Sequence, residues 1–208
     1  MPQYFNPDPN LKSDKRSFPE TLAGERFYFF TESGTFSRDR LDFATRLMLE
    51  TAIDWVDFPS EADVLDLACG WGPVATVLLR FFPNLNMLCS DVNERALALV
   101  KENVVSNNPD VENLRCVLAD GVAELEQSFD LIFLNPPIRA GKQLVYRLFA
   151  EACEALRPGG SLFVVMAKKQ GAKSGEAELK RLFGDRQVED VARKAGFHVY
   201  LVRKEGES

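Results

Sequence analysis

Short apolar segments of strand length alternate with amphipathic helical segments from residue 62 onward, and this alternation constrains the fold more than any other feature. The predicted strands cover residues 64–68, 85–89, 114–118, 130–134 and 161–167. The predicted helices cover residues 70–82, a segment capped by Asn93, 142–156 and about 176–183. Strands joined through helices form parallel sheets with helices on both faces. The sequence therefore predicts an α/β fold with a doubly wound, mostly parallel sheet built from β-α repeats.

Both ends of the chain depart from this alternation. Residues 188–191 and 197–202 are two β-like runs around an Ala195-Gly196 turn, which predicts an antiparallel hairpin closing the sheet. Residues 1–26 are rich in Pro, Asp, Asn and Lys and are predicted to be a loose arm. A strand at 27–31 and a helix from Leu41 follow. We expect an N-terminal extension over 1–61, packed on a catalytic domain over 62–208.

Composition narrows the class of protein. The apolar stretches are only strand-sized and the N-terminus lacks an apolar signal segment, so we expect a cytoplasmic protein without a membrane partner. The four cysteines form no CxxC pair, and His198 is the only histidine. This argues against multi-histidine metal sites and Ser-His-Asp hydrolases, and no metal is expected.

The charge is distributed unevenly. The net charge is −6, but residues 51–135 carry 4 basic and 14 acidic side chains, whereas residues 136–208 carry 14 basic and 9 acidic ones. This pattern fits a basic face for a polyanion, and it equally fits solvated surfaces of the last helices and strands. The oligomeric state is left open by the sequence.

A glycine loop follows the first predicted strand of the sheet. Gly70-x-Gly72-x-x-Ala75 matches a dinucleotide-binding fingerprint, and Asp91 lies about 20 residues on, where an acid binds ribose hydroxyls. Asp66 favours another ligand, because a carboxylate beside the loop suits a cation better than a pyrophosphate. S-adenosylmethionine carries a sulfonium and an ammonium group and no phosphate. Asp120, after the third strand, is a candidate for contacting an adenine amino group.

The segment Asn135-Pro136-Pro137-Ile138 ends the fourth strand of this sheet. Prolines after a buried strand fix a rigid turn at the carboxyl edge, where open α/β sheets bind ligands. The Asn135 side-chain oxygen and the Pro136 carbonyl are two acceptors that would hold both hydrogens of an –NH2 group. This arrangement turns the nitrogen lone pair toward an electrophile.

These motifs together resemble the class I S-adenosylmethionine-dependent methyltransferases that modify exocyclic or amide nitrogens, which share a Rossmann-like fold. Four further elements resemble the methyltransferase small-domain family: Phe30-Thr31-x-x-Gly34-x-Phe36-Ser37, Asp42-x-x-Thr45, Arg139-Ala140-Gly141-Lys142 after the double proline, and Lys169-Gln170-Gly171-Ala172. The family includes ribosomal RNA guanine-N2 methyltransferases. The resemblance runs from about residue 4 to residue 203.

The resemblance implies S-adenosylmethionine as cofactor and N2 of a guanine in ribosomal RNA, free or in an assembly particle, as target. The residues expected to bind the cofactor are Thr45, Asp66, Ala68, Gly70, Gly72, Asp91, Val92, Asp120, Gly121 and Asn135. The catalytic segment is Asn135, Pro136 and Pro137, and the substrate contacts are Phe36, Ile138, Arg139, Lys142 and Lys169. The sequence departs from the family's pattern at two of these positions. Ile138 replaces the aromatic residue that often follows the double proline, and Ala68 replaces a glycine of the cofactor loop.

Several other functions fit parts of the pattern. Methyltransferases acting on protein glutamine or on adenine N6 would use the same double-proline segment. A nicotinamide-dependent oxidoreductase fits the glycine loop but not Asp66 or the closing hairpin. A non-catalytic cofactor-binding scaffold would not need Asp66, Asp91 and Asn135 together.

Overall fold

The described part of the chain forms a seven-stranded sheet covered on both faces, and a two-stranded hairpin precedes it in the sequence. The computed structural model describes residues 12–55, 61–122, 125 and 127–206. The strands are β1 Arg16–Leu22, β2 Glu25–Thr31, β3 Asp63–Leu67, β4 Asn86–Asp91, β5 Leu114–Leu118, β6 Phe129–Leu134, β7 Leu156–Ala167, β8 Val188–Lys194 and β9 Phe197–Arg203. The helices are α1 Phe43–Trp55, α2 Pro73–Phe81, α3 Glu94–Asn107, α4 Lys142–Ala155 and α5 Ala172–Phe183.

The order of strands in the large sheet is β5-β4-β3-β6-β7-β9-β8. The first five of these strands pair in parallel, and β9 pairs antiparallel to both β7 and β8. The predicted doubly wound sheet and its closing hairpin are therefore confirmed. The strand order reverses between β3 and β6, and ligands bind at such a reversal in open α/β sheets.

The core lies on both faces of the sheet, because successive side chains of the central strands point to opposite sides. Val64 of β3 belongs to the cluster with α1, α2 and α3, whereas Leu65 and Leu67 belong to the cluster with α4 and α5. In β6, Phe133 and Ile132 divide in the same way. Burial on both faces explains why these strands are continuous apolar runs in the sequence.

The loose arm predicted for residues 1–26 is wrong where the structure describes it. Arg16–Leu22 is a strand that pairs antiparallel with β2. Ala23 and Gly24, both with positive φ (48° and 85°), form the two-residue turn that such a hairpin requires. Pro19 is compatible with β1 because the strand is at an edge, where a missing N–H is tolerated. The arm residues 1–11 lie outside the described residues.

Several predicted boundaries also shift. Helix α1 begins at Phe43 because Asp42 caps it: the Asp42 carboxylate accepts hydrogen bonds from the N–H groups of Ala44 and Thr45 (2.9 and 3.2 Å). Strand β7 begins at Leu156, five residues before the predicted start at residue 161. No helix was predicted between the strands at 114–118 and 130–134, and the described residues between β5 and β6 form none.

The N-terminal hairpin is attached to α3 by two asparagines one helical turn apart. Asn103 exchanges two hydrogen bonds with the backbone N–H and C=O of Phe30 (2.6 and 2.9 Å). Asn107 does the same with Tyr28, at 2.9 Å for both bonds. Each side-chain amide thus pairs with β2 as a neighbouring strand would. The hairpin is thereby fixed against α3, whose Asn103 also donates to the Trp71 carbonyl in the glycine loop at 2.9 Å.

Candidate active site

A cavity of about 370 Å³ opens at the carboxyl edge of the sheet, where β3 and β6 lie side by side. Its volume is in the range of small-molecule sites. Eleven of the residues singled out from the sequence line it: Phe36, Thr45, Asp66, Ala68, Gly70, Asp91, Asn135, Pro136, Pro137, Ile138 and Arg139. The ends of three strands, the first turn of α1 and the loop after β2 therefore converge on one space.

Asp66 is a buried acid with an unsatisfied oxygen. The residue is only 3% exposed, and its Oδ2 has no hydrogen-bond partner among the described residues. Burial, with Asp91 nearby, raises the pKa of the Asp66 carboxyl well above its usual range. A buried unpaired carboxylate is costly, so a cationic ligand would be strongly favoured beside it.

Asp91 ties the end of β4 to the glycine loop. Its two carboxylate oxygens accept hydrogen bonds from the N–H groups of Gly70 (2.8 Å) and Asn93 (2.9 Å). Burial raises the pKa of this carboxyl, while these hydrogen bonds oppose the increase. Each carboxylate oxygen accepts more than one hydrogen bond, so Asp91 retains acceptor capacity toward the cavity.

The glycine loop adopts unusual backbone angles. Ala68, Gly70 and Gly72 all have positive φ, at 59°, 56° and 82°. A Cβ on Gly70 would meet nothing within 4 Å, whereas one on Gly72 would lie 2.9 Å from a methyl carbon of Val100. Gly70 therefore leaves the cavity open, and Gly72 allows close packing of the helix start against α3. Helix α2 begins at Pro73, three residues later than expected.

The Asn135 side chain is oriented by α1. Its Nδ2 donates to Thr45 Oγ1 at 3.0 Å and to Asp42 Oδ2 at 3.2 Å, while the Thr45 hydroxyl donates to the same Asp42 carboxylate. An ionised carboxylate only accepts hydrogen bonds, so the –NH2 group of Asn135 must point to Asp42. The Asn135 Oδ1 atom has no hydrogen-bond partner among the described residues and remains available as an acceptor.

The Pro136 carbonyl is not free, in contrast to the expectation. It accepts a hydrogen bond from the N–H of Ile138 at 2.8 Å, within the tight turn formed by Pro137. A carbonyl oxygen has a second lone pair, so it retains one acceptor position. Ile138 begins a single 3-10 turn that ends at Ala140.

Other expected site residues lie away from the cavity wall. The Asp120 carboxylate is paired with Arg147 at 2.5 Å, and the backbone at Gly121 packs closely against Glu151. Val92 and Lys169 are near the same sheet edge without lining the cavity, and the Lys142 ammonium lies 4.9 Å from the Tyr146 ring centroid. Their proposed roles remain predictions.

Sequence reasoning assigned no site role to several residues that line the cavity. The sequence analysis names Asp42 only as part of the Asp42-x-x-Thr45 element. Its position just before α1 is typical of a helix cap, and this could have indicated that its side chain has a fixed orientation. Trp71, Asn93, Gln170 and Phe197 also line the cavity. Tyr28 is 48% exposed and lies outside the cavity.

The chain matches the family model of the methyltransferase small domain over residues 26–201. It is 35% identical over 204 residues to the uncharacterized protein YbxB of Bacillus subtilis, covering 97% of this chain and 98% of that protein. Ribosomal RNA small subunit methyltransferase C of Photorhabdus laumondii is 33% identical over 84% of this chain. Ribosomal RNA large subunit methyltransferase G of Photobacterium profundum is 32% identical over 81% of it. The matched regions cover 49% and 44% of these two enzymes, so this chain corresponds to about half of their length.

A similar solved structure is the Thermus thermophilus 16S rRNA N2 G1207 methyltransferase in complex with AdoMet and guanosine. The TM-score is 0.80 at 24% identity, over 95% of this chain and 52% of that one. This likeness confirms the fold. Among the described helices, none has the length and apolar character needed to cross a bilayer. The family match, the relatives and the fold agree: the chain belongs to the methyltransferase small-domain family of S-adenosylmethionine-dependent methyltransferases.

Proposed function

We propose that this protein methylates the exocyclic N2 of a guanine in ribosomal RNA. The observation that carries the proposal is the fixed orientation of Asn135. Its –NH2 group is held by Asp42 and Thr45, which leaves Oδ1 as an acceptor at the cavity wall. An acceptor preset in this way suits a substrate that offers an N–H. The names of the two methyltransferase relatives support ribosomal RNA as the substrate. The similar Thermus thermophilus enzyme, which is named as an N2 G1207 methyltransferase, supports guanine N2 as the target.

The side of the cavity that is lined by Asp66, Ala68, Gly70 and Asp91, called the cofactor half below, fits S-adenosylmethionine. The unpaired Oδ2 of Asp66 is suited to the ammonium group, and the Asp91 carboxylate is suited to the ribose hydroxyls. Gly70 keeps the backbone open beside the sulfonium region, Ala68 lines the cavity next to it, and Thr45 adds a hydroxyl from α1. Val92, Asp120 and Gly121 are proposed to border the adenine.

The bound cofactor supplies a methyl group on a positively charged sulfur, which an amine nitrogen attacks directly. Asn135 Oδ1 and the second lone pair of the Pro136 carbonyl accept the two N–H groups of the target amine. This orientation directs the nitrogen lone pair into the cavity, and it stabilises the positive charge that develops on the nitrogen. The surplus proton leaves after methyl transfer, so no strong base is needed in the site.

The opposite side of the cavity, called the acceptor half below, is lined by Phe36, Asn135, Ile138 and Arg139 and carries groups suited to RNA. Phe36 is 63% exposed at the cavity wall and would stack on an unstacked base. Arg139 lies at the cavity mouth, and Lys142 and Lys169 are exposed at the same sheet edge. Their charges would hold phosphates and position the RNA without reading its sequence.

The decisive experiment compares ribosomal RNA nucleosides from cells with and without the gene by mass spectrometry. We expect N2-methylguanosine to decrease on deletion and to return when the wild-type gene, but not the Asn135→Ala variant, is supplied. Loss of N6-methyladenosine would instead assign adenine as the target. An unchanged RNA profile with loss of methylglutamine in a protein would contradict the RNA proposal.

A further inference from the structure

The loop of residues 32–40, which carries Phe36, is attached to the cofactor half of the cavity through two of its carbonyl groups. The indole Nε1 of Trp71 donates to the Phe36 carbonyl at 2.7 Å. The side-chain Nδ2 of Asn93 donates to the Gly34 carbonyl at 3.2 Å. Trp71 lies between the two glycines of the glycine loop, and Asn93 follows Asp91 by two residues. Both donors therefore belong to segments that border the cofactor.

Trp71 is held rigidly on every side. It is 2% exposed, and its ring makes edge contacts with Phe29 and Phe18 at centroid distances of 5.0 and 6.0 Å. Its backbone carbonyl accepts a hydrogen bond from Asn103 of α3 at 2.9 Å. A side chain fixed in this way cannot absorb a movement by rotating. A change in the position of the glycine loop is therefore passed on to the Phe36 carbonyl.

Asn93 provides a second connection of the same kind. Its backbone N–H donates to the Asp91 carboxylate at 2.9 Å, and its side-chain oxygen caps α3 by accepting from the N–H of Arg95 at 3.1 Å. The remaining side-chain –NH2 group holds Gly34. One residue thus contacts the proposed ribose-binding acid, the helix start and the Phe36 loop.

We infer that Trp71 and Asn93 are positioning residues that couple occupation of the cofactor half to the placement of Phe36. Binding at the cofactor half then fixes the aromatic face on which the acceptor base stacks. Coupling between two binding sites is reciprocal, so the acceptor also strengthens cofactor binding by the same factor. The stacking role of Phe36 rests on the proposed function, whereas the connection between the glycine loop and the Phe36 loop does not.

The first test needs no RNA. Hydrogen exchange of the amides in residues 32–40 is measured with and without S-adenosylhomocysteine. In the wild type we expect the ligand to slow exchange about fivefold or more, the lower range of measured coupling. Replacing Trp71 by 3-benzothienylalanine keeps the ring size and substitutes sulfur for the N–H group. At saturating S-adenosylhomocysteine, we expect the ligand-induced protection in this variant to fall below about twofold.

A matched control separates coupling from simple loosening of the loop. The Thr31 hydroxyl also donates to a carbonyl of this loop, that of Arg38, at 2.6 Å, but Thr31 belongs to β2. Thr31→Val removes that bond while leaving the Trp71 and Asn93 connections in place. We expect the ligand-induced protection to be retained in Thr31→Val. Full protection in the Trp71 isostere, or equal loss in both variants, would overturn the inference.

The second test uses a ribosomal RNA fragment as acceptor. In the Trp71 isostere we expect KM for the RNA to rise about tenfold, which is within the range of coupling effects, with a smaller change in kcat. Trp71→Phe gives a genetically encoded version, and its melting temperature identifies any loss of fold. If the wild type shows the exchange coupling but methylates no RNA, the proposed function fails and the coupling stands. If RNA is methylated and KM is unaffected by either Trp71 change, the positioning role fails.

Discussion

At the scale of single residues, the Asn135 amide is the group whose removal should affect chemistry most and folding least. Asn135→Ala loses two side-chain hydrogen bonds at the edge of α1, which is worth about 1–2 kcal/mol of stability. It also removes the acceptor that is proposed to orient the target amine, and we expect single-turnover methyl transfer to slow about 100-fold. Single-turnover kinetics with thermal melts measure both effects. Near-wild-type turnover would contradict the proposed mechanism.

Asn135→Asp is a more informative variant because it also tests whether Asp42 orients the side chain at position 135. A carboxylate at 135 would face the Asp42 carboxylate, whose Oδ2 now lies 3.2 Å from the Asn135 nitrogen. Two carboxylates at this distance cannot both ionise easily, so one retains a proton to higher pH. We expect the activity of Asn135→Asp to be higher at lower pH than the activity of the same variant at pH 8. A pH profile parallel to wild type would show that Asp42 does not control the orientation of residue 135.

Asp66 is expected to show opposite effects on stability and on binding. Its folded-state pKa is raised by burial, so the folded protein holds the proton more tightly than the unfolded chain. The free energy of unfolding therefore falls as pH rises from the unfolded pKa through the folded one. Asp66→Asn removes this loss, and we expect the ligand-free variant to melt higher than wild type at neutral pH but not at pH 4.

The same substitution removes the unpaired carboxylate that is proposed to bind the ammonium group. Losing a charge-assisted partner costs about 1.5–3 kcal/mol, so S-adenosylmethionine should bind about 10- to 150-fold more weakly. Calorimetry and melts at two pH values, with and without the cofactor, measure these effects. Asp66→Asn with unchanged affinity would remove Asp66 from the cofactor site.

At the scale of elements, α3 holds the N-terminal hairpin in register with the site. Asn103→Ala would leave the N–H and C=O of Phe30 and the carbonyl of Trp71 without their side-chain partner. We expect destabilisation by about 2–4 kcal/mol, measured by urea unfolding, because the site is fully buried. Asn107→Ala loses the equivalent pair to Tyr28 at the more exposed end of the hairpin, and it should cost less. Equal losses of unfolding free energy in the two variants would contradict the expectation that the hairpin is held more strongly at Phe30 than at Tyr28.

The elements that could be predicted from the sequence are those whose pattern is set locally. The buried strands β3, β4, β6 and β7 are apolar runs because both of their faces are covered, and Asn93 caps α3 as its position before the apolar stripe indicates. Strand β1 could not be predicted, because Pro19 and the charged residues around it resemble a loop. Its stability comes from pairing with β2, and β2 in turn depends on asparagines about 75 residues later in the chain.

The site was predictable to a similar degree for the same reason. Asp66, Asp91 and Asn135 end neighbouring strands, so the topology alone brings them to one edge. The Trp71 contact to Phe36 and the Asp42 contact to Asn135 join separate parts of the chain and leave no local signal. Asp120 follows a strand as well, but Arg147 from α4 takes its carboxylate, which only the packed structure reveals.

At the scale of the whole molecule, the protein carries a net charge of −6, yet several of its cations lie near the site. Lys168 and Lys169 follow β7 directly and are therefore at the carboxyl edge of the sheet, where Arg139 also lies. Arg186, before β8, and Arg203, at the end of the antiparallel β9, are at the opposite edge. An acidic protein would bind RNA only through such a localised patch.

This arrangement gives a prediction with a matched control. Each phosphate contact to a single strand contributes about 0.7 to the slope of log affinity against log salt concentration. Lys168→Ala combined with Lys169→Ala should lower the magnitude of that slope by about 1.4 for a ribosomal RNA fragment. Arg186→Ala combined with Arg203→Ala changes the net charge equally but at the far edge, and it should leave the slope within about 0.3 of wild type.

Fluorescence anisotropy between about 50 and 200 mM salt measures both pairs. Equal decreases in the two double variants would mean that net charge, rather than a basic patch beside the site, governs RNA binding. A slope near zero in the wild type would exclude RNA phosphates as partners and favour a protein substrate.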